Sequence, residues 1–274
     1  MYGHASVRHD VIACASSAKS IDFGSPYGSV PAVGIEALDQ IKDADGLLHL
    51  AFLTRERIAE MGVERYIELN RVITSRVADF ISRHPSIPII TISSGATAVC
   101  DKATVNLMVN PYAALKQEEE ALWQRSSAAR MATVFRVYAA SGRFIKDPSV
   151  FALSDFLSKA LVGKQIQIRS ERPVIRSYVH VGTMMRLVWA MLEQPDELGF
   201  RQVNAAMQTL SLVELAEAVS TLWSLPKPSY RINPSLEADD YRAVEEPFLR
   251  LLAQYGIKVP TLAEQLQETA CSMA

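Results

Sequence analysis

The run Pro88-Ile-Ile-Thr-Ile-Ser-Ser-Gly constrains the fold of this chain more than any other stretch. A short apolar run that stops at small polar residues is the pattern of a parallel strand covered on both faces. Parallel neighbours need crossover connections, and the flanking sequence supplies them. Upstream, Asp43-Ala-Asp-Gly-Leu-Leu-His-Leu-Ala-Phe reads as a loop feeding a short buried strand that ends near His49 to Phe52, and a helical pattern over 63–82 carries Tyr66 and Asn70. Downstream, a helix opens at Pro111 and Thr133-Val-Phe-Arg-Val-Tyr reads as a further strand. Strand, helix, strand, helix, strand implies right-handed crossovers and a doubly wound α/β sheet. Ligands of such sheets bind beyond the carboxyl ends of the strands, which here are His49 to Phe52, Ser93 to Gly95 and Tyr138 to Gly142.

Tyr112 and Lys116 fall within Asn-Pro-Tyr-Ala-Ala-Leu-Lys, just after the Ser-Ser-Gly strand end. A spacing of four on a helix puts both side chains on one face, the outline of a proton-transfer site. A free tyrosine titrates near 10, so acting as a base at neutral pH means offsetting about 3 units, or ~4 kcal/mol. A lysine charge about 4 Å away supplies ~4 kcal/mol at an effective dielectric of 20. One well-placed lysine therefore suffices. Glu118-Glu-Glu, immediately beyond, reads as a solvated acidic face.

Composition narrows the function classes. With 274 residues, 49% hydrophobic and 21% charged, the chain can bury one large core, or one core plus a lobe. A formal charge of -2 and the lack of a basic cluster predict no nucleic-acid partner. No apolar run nears the ~18 residues of a membrane span, and the first stretch lacks the apolar core of a signal peptide. Cys14, Cys100 and Cys271 are well separated, the pattern of reduced cytoplasmic thiols. His4, His9, His49, His84 and His180 are scattered, so no metal site is expected.

Taken in order, His49-Leu-Ala, Tyr66-x-x-x-Asn70, Ser93-Ser-Gly-Ala, Pro111-Tyr-x-x-x-Lys116, Arg136-x-Tyr-x-x-x-Gly142, Arg176-Ser-Tyr-Val-His-Val, and Val203-Asn-Ala followed by Ser211-Leu-x-Glu-Leu-Ala form a specific set. The chain resembles the extended short-chain dehydrogenases/reductases, and within them the NAD-dependent epimerase/dehydratase group that acts on nucleotide sugars. The resemblance implies a Rossmann-like sheet with a smaller substrate lobe, a bound NAD or NADP, a nucleotide-sugar substrate, a place in surface polysaccharide synthesis and a homodimer. It gives Tyr112 and Lys116 the proton transfer, Ser94 the substrate hydroxyl with Ser93 and Thr97 as alternatives, and Asn70 the support of the proton path near the lysine. Ser16, Ser17, His49, Ala51, Phe52, Ser93 and Tyr138 fall to the cofactor, and Thr97, Ala139 and Arg176 to the substrate. Serines at 16 and 17, with Lys19 nearby, stand where NAD-preferring members carry an acidic residue, which leaves NADP open beside NAD.

The resemblance lapses at the start of the chain. Members of the group open with a strand and a Gly-x-x-Gly-x-x-Gly turn that admits the cofactor pyrophosphate. Here residues 10–15 match the family's second strand, and Gly24, Gly28 and Gly34 do not restore the turn. A first unit of roughly 30 residues is expected to be missing, through truncation or divergence. The expected organisation is an incomplete cofactor domain over 1–142 and a substrate lobe over 143–274, with a segment near 202–205 returning to the sheet. Helices are expected over 150–161 and 183–192, around a strand over 165–169. Replacement of the family's substrate-facing amide by Ala139, and of its paired aspartates by Gly182 and Thr183, points away from a standard hexose substrate. The competing reading is a non-catalytic relative that keeps the fold as a binding or regulatory module.

Overall fold

A computed structural model describes residues 9–24, 28–100, 105–126, 131–144, 151–195 and 199–273. The chain forms two compact units, one of Met1–Phe135 with Val188–Gln202, the other of Arg136–Leu187 with Val203–Ala274.

The first unit opens with a three-stranded sheet. Strand β1 (Cys14–Ala15) pairs parallel with β3 (Ser29–Gly34), and β2 (Lys19–Asp22) pairs antiparallel with β3. The strand expected over 10–15 is thus confined to its last two residues. Gly24 and Gly28 close the β2–β3 hairpin at positive φ and belong to no strand-to-helix turn. A second sheet has the order β4 (Leu47–His49), β5 (Ile89–Ser94), β6 (Ala132–Val137), β9 (Arg201–Ala205), with β4 parallel to β5 and His49 opposite Thr91. β5 is the run that the sequence marks as covered on both faces, and five of its six residues are buried.

Helices α1 (Arg57–Met61) and α2 (Val63–Arg83) meet at Gly62, whose φ of 81° favours glycine. α2 buries Tyr66, Ile67, Asn70, Val77, Phe80 and Ile81 at helical spacing. The short α3 (Gly95–Cys100) leaves β5 directly, and α4 (Pro111–Arg125) follows. α4 starts where it does because the Asn110 side chain accepts from the Ala113 N–H and Pro111 fixes the first helical φ. Phe80, Ile81 and Val77 from α2, Trp123 from α4, and Ile89, Ala132 and Val134 from the sheet form one core.

In the second unit, β8 (Val174–His180) is the hub. β7 (Ala139–Ser141) and β11 (Asp239–Tyr241) each pair parallel with it, at opposite ends of its length, while β10 (Gln208–Ser211) pairs antiparallel. α5 (Ala152–Leu161), α7 (Leu212–Leu222) and α9 (Leu262–Cys271) pack Leu153, Phe156, Leu157, Leu215, Val219 and Leu266 together. α6 (Val181–Glu193) and α8 (Glu246–Gln254) complete the helices. Val150, in the helix expected over 150–161, lies outside the described residues. The strand expected over 165–169 is only a single bridge, Gln167 to Ser229. Ile168 N–H donates to the Ser229 carbonyl and Ser229 N–H to the Ile166 carbonyl, but Pro226, Pro228 and Pro234 carry no N–H with which to extend a ladder.

Helix α9 begins with a reciprocal cap, in which Glu264 N–H donates to the Thr261 hydroxyl and Thr261 N–H to the Glu264 carboxylate. Thr261→Ala is expected to cost about 1 kcal/mol, read as a lower urea midpoint at unchanged slope.

Candidate active site

The segment that follows β4 is held by its backbone. Asn70 accepts the Leu53 N–H at 2.8 Å, and Tyr66 donates its hydroxyl to the Leu53 carbonyl at 2.7 Å. Asn70 also donates to the Tyr66 carbonyl one turn back. The Tyr66-x-x-x-Asn70 spacing therefore reads as a clamp on one residue, Leu53, with both ends of the Asn70 amide engaged. Burial pushes the Tyr66 phenol far above its ordinary value. Phe52, next to the clamped residue, is placed over the start of α4.

On α4, Lys116 turns inward. Its ammonium donates to the Ile92 carbonyl and to Glu119 Oε2, each at 2.9 Å, and lies 3.8 Å from the centroid of the Phe52 ring. Glu119 is 2% exposed, and its other oxygen accepts from His49 Nε2 at 2.9 Å and from the Thr74 hydroxyl at 3.3 Å. Burial works to raise the Glu119 carboxyl, but the Lys116 charge and the His49 hydrogen bond outweigh it and hold the carboxyl at about 2. The acidic triplet is thus not the solvated face the sequence suggested. Only Glu118 is exposed, paired with Arg71 across to α2; Glu120 is buried and bonded to Thr97 and Gln202. In a helix crossing a sheet end, positions three and four after an inward lysine are themselves inward.

Tyr112 stands beside Ser94 at the carboxyl end of β5, edge-on to Phe52, with ring centroids 5.8 Å apart. Its phenol is raised above its ordinary value, first by burial and then by the Glu56 and Glu119 carboxylates, against a lowering by Ser94. The Lys116 ammonium, expected to lower this phenol, faces a carboxylate at 2.9 Å. From the distance of the phenol, such a pair is a dipole rather than a charge.

Of the two alternatives to Ser94, Thr97 is bound to the Ser94 carbonyl and to Glu120, while the Ser93 hydroxyl is buried with no hydrogen-bond partner among the described residues. Ser94 also accepts from Ala96 N–H. Ser16 and Ser17 are exposed in the bend after β1, and Ala51 is exposed beside Phe52. His49 is buried, edge-on to Trp123. Tyr138, Ala139 and Arg176 lie in the second unit. Tyr138 donates to Asn204 and packs on Tyr241, Ala139 sits in β7, and Arg176 is committed to Asp239 through its carboxylate at 2.6 Å and its carbonyl at 2.7 Å. The residues that sequence reasoning missed are Glu119 and Glu120, and the signal for them was their place three and four residues beyond Lys116.

The model of the NAD dependent epimerase/dehydratase family matches residues 31–206, more than half of the chain. The chain belongs to this family. Among solved structures it is similar to UDP-glucose 4-epimerase from Thermotoga maritima with UDP-glucose, at a TM-score of 0.68 and 16% identity over 98% of this chain and 92% of that one. It is also similar to UDP-glucuronic acid 4-epimerase from Bacillus cereus, in complex with UDP-glucuronic acid and NAD, at 0.65 and 17% over 87% and 78%. RMD from Pseudomonas aeruginosa, complexed with NADPH, matches at 0.64 and 19% over 87% and 86%. These likenesses extend the family's doubly wound fold over nearly the whole chain. No curated protein matches. No described helix is long and apolar enough to cross a membrane.

The buried pair sets an acid limit. A carboxyl whose folded value is depressed binds fewer protons folded than unfolded between the two values, so stability rises with pH across that window. The Glu119 contribution is complete above about 4.5 and lost as pH falls toward about 2. Glu119→Gln should flatten that part of the stability profile and cost about 3 kcal/mol at neutral pH, measured by urea denaturation at several pH values.

Proposed function

We propose that the chain is an NAD(P)-dependent epimerase, dehydratase or reductase of a nucleotide sugar, with Tyr112 as the proton-transfer group. The observation that carries this reading is the Tyr112–Ser94 hydroxyl pair at the carboxyl end of β5, with the buried Lys116 one helical turn behind it. When bound, the nicotinamide supplies the hydride acceptor or donor. Ser94 holds a sugar hydroxyl against the phenol, and Tyr112 takes or returns its proton. Because the phenol is raised, the resting site holds it protonated, ready to donate, and the dehydrogenating direction needs it to lose that proton first.

The nicotinamide end is the part of the cofactor that these residues fit. The buried, unpartnered Ser93 hydroxyl lies on the same strand end as Ser94, and Lys116 offers its third hydrogen once the Phe52 ring turns aside. We assign Ser16 and Ser17 to the adenosine ribose, His49, Ala51 and Phe52 to the walls beside the cofactor, and Tyr138, Ala139, Arg176 and Thr97 to the substrate side. Arg176 would exchange Asp239 for a diphosphate. Asn70 acts through the Leu53 peptide rather than through a proton path. A cytoplasmic homodimer serving polysaccharide synthesis, with a cofactor domain over 1–142 and a substrate lobe over 143–274, completes this reading.

A second reading, a non-catalytic binding protein of the same fold, is favoured by one observation: the Phe52 ring covers the ammonium that a cofactor hydroxyl would need.

Turnover of UDP- and dTDP-sugars with NAD or NADP, followed at nicotinamide absorbance and by product analysis, separates the two. Tyr112→Phe is expected to lower kcat by about 10²–10⁴, with little change in cofactor affinity. In the dehydrogenating direction kcat/KM should rise with pH toward the alkaline range, since the phenol must ionise. Wild-type turnover in Tyr112→Phe would overturn the assignment, and nucleotide-sugar binding without any turnover would favour the second reading.

A further inference from the structure

A lysine ammonium has three hydrogens, and all three of those on Lys116 have a destination. Two bond the Ile92 carbonyl and Glu119 Oε2, and the remaining one faces the Phe52 ring. The same ring touches Tyr112 edge-on. Glu119 is therefore joined to the phenol through a short chain of contacts, from carboxylate to ammonium, from ammonium to ring and from ring to phenol. Its own position is fixed independently, by His49 from β4 and Thr74 from α2. Structural burial alone does not call for a carboxylate here, because an apolar pair of similar volume is often as stable as a buried ion pair.

We propose that Glu119 is a positioning residue for the Tyr112–Lys116 pair: it fixes the buried ammonium behind the phenol and cancels most of its charge, so that the resting site keeps Tyr112 as a proton donor. This rests on the reading of Tyr112 as the proton-transfer group. Around Glu119 the charged and titratable neighbours are Lys116 on its own helix and His49 on β4. Around Tyr112 they are Glu56 ahead of α1, Tyr66 on α2 and Glu119 itself. An unopposed ammonium in this place would stabilise the phenolate. With Glu119 beside it, the stabilisation is largely removed, in keeping with a phenol raised first by burial and then by the Glu56 and Glu119 carboxylates.

The test needs no turnover. In the ligand-free full chain labelled with ¹³Cζ-tyrosine, the Tyr112 resonance is identified by its loss in Tyr112→Phe and followed by NMR from neutral to alkaline pH. In Glu119→Gln its midpoint should fall by about one unit, tenfold in the ionisation constant. In Glu119→Asp, which keeps the charge, it should stay near the wild-type position. A merely structural carboxylate would leave the midpoint unmoved in a folded variant. If Glu119→Gln does not fold, Lys116→Met is compared with Lys116→Met/Glu119→Gln, whose buried pair is neutral, and the double variant should titrate lower than the single one. Coincident midpoints in whichever pair folds overturn the proposal. Failure of the catalytic reading is seen separately, as undiminished turnover in Tyr112→Phe.

Discussion

Lys116 and Glu119 place opposite charges 2.9 Å apart, with both side chains almost wholly out of water. Taking two ions out of solvent costs several kcal/mol each, and their attraction repays this only when the remaining donors and acceptors are also met. Here they are met by four different elements. β5 supplies the Ile92 carbonyl, β4 the His49 ring, α2 the Thr74 hydroxyl, and the segment after β4 the Phe52 face. The pair, carried on α4, is thus a joint to which two strands, α2 and the segment after β4 are fastened. Its geometry dictates where Tyr112, one turn earlier on the same helix, meets Ser94.

That joint extends to the β4–α1 connection. Loop backbone near a sheet end is ordinarily free to adjust, yet Leu53 is held at both its N–H and its C=O by α2. The clamp transmits the position of α2 to the ring that lies on the ammonium. Asn70 thereby gains a physical role of its own kind: it shapes the surroundings of Lys116 without touching it.

Much of the fold was legible because the signals were local. The apolar run of β5 and the Asn110-Pro111 helix start each state their structure within a few residues. What could not be read were the long-range electrostatic partners. The spacing from Lys116 marks Glu119 as inward, but not its partner His49, seventy residues away. The same holds for Arg176, whose partner Asp239 on β11 lies sixty-three residues away. The 165–169 strand failed for a related reason, since extended backbone becomes a ladder only when a partner with free donors lies alongside.

Neither compact unit is continuous in sequence. The first comprises Met1–Phe135 and Val188–Gln202, and the second Arg136–Leu187 and Val203–Ala274, so the chain passes between them inside β6, α6 and β9. During synthesis the first unit must wait for its last strand until the intervening half of the second has left the ribosome. The second cannot close its helical core until α9, almost the last element made, arrives. The sheet of β4, β5, β6 and β9 and the sheet around β8 therefore present unfinished edges while the intervening segments are made, a window in which a nascent chain is exposed to mispairing and calls on chaperones.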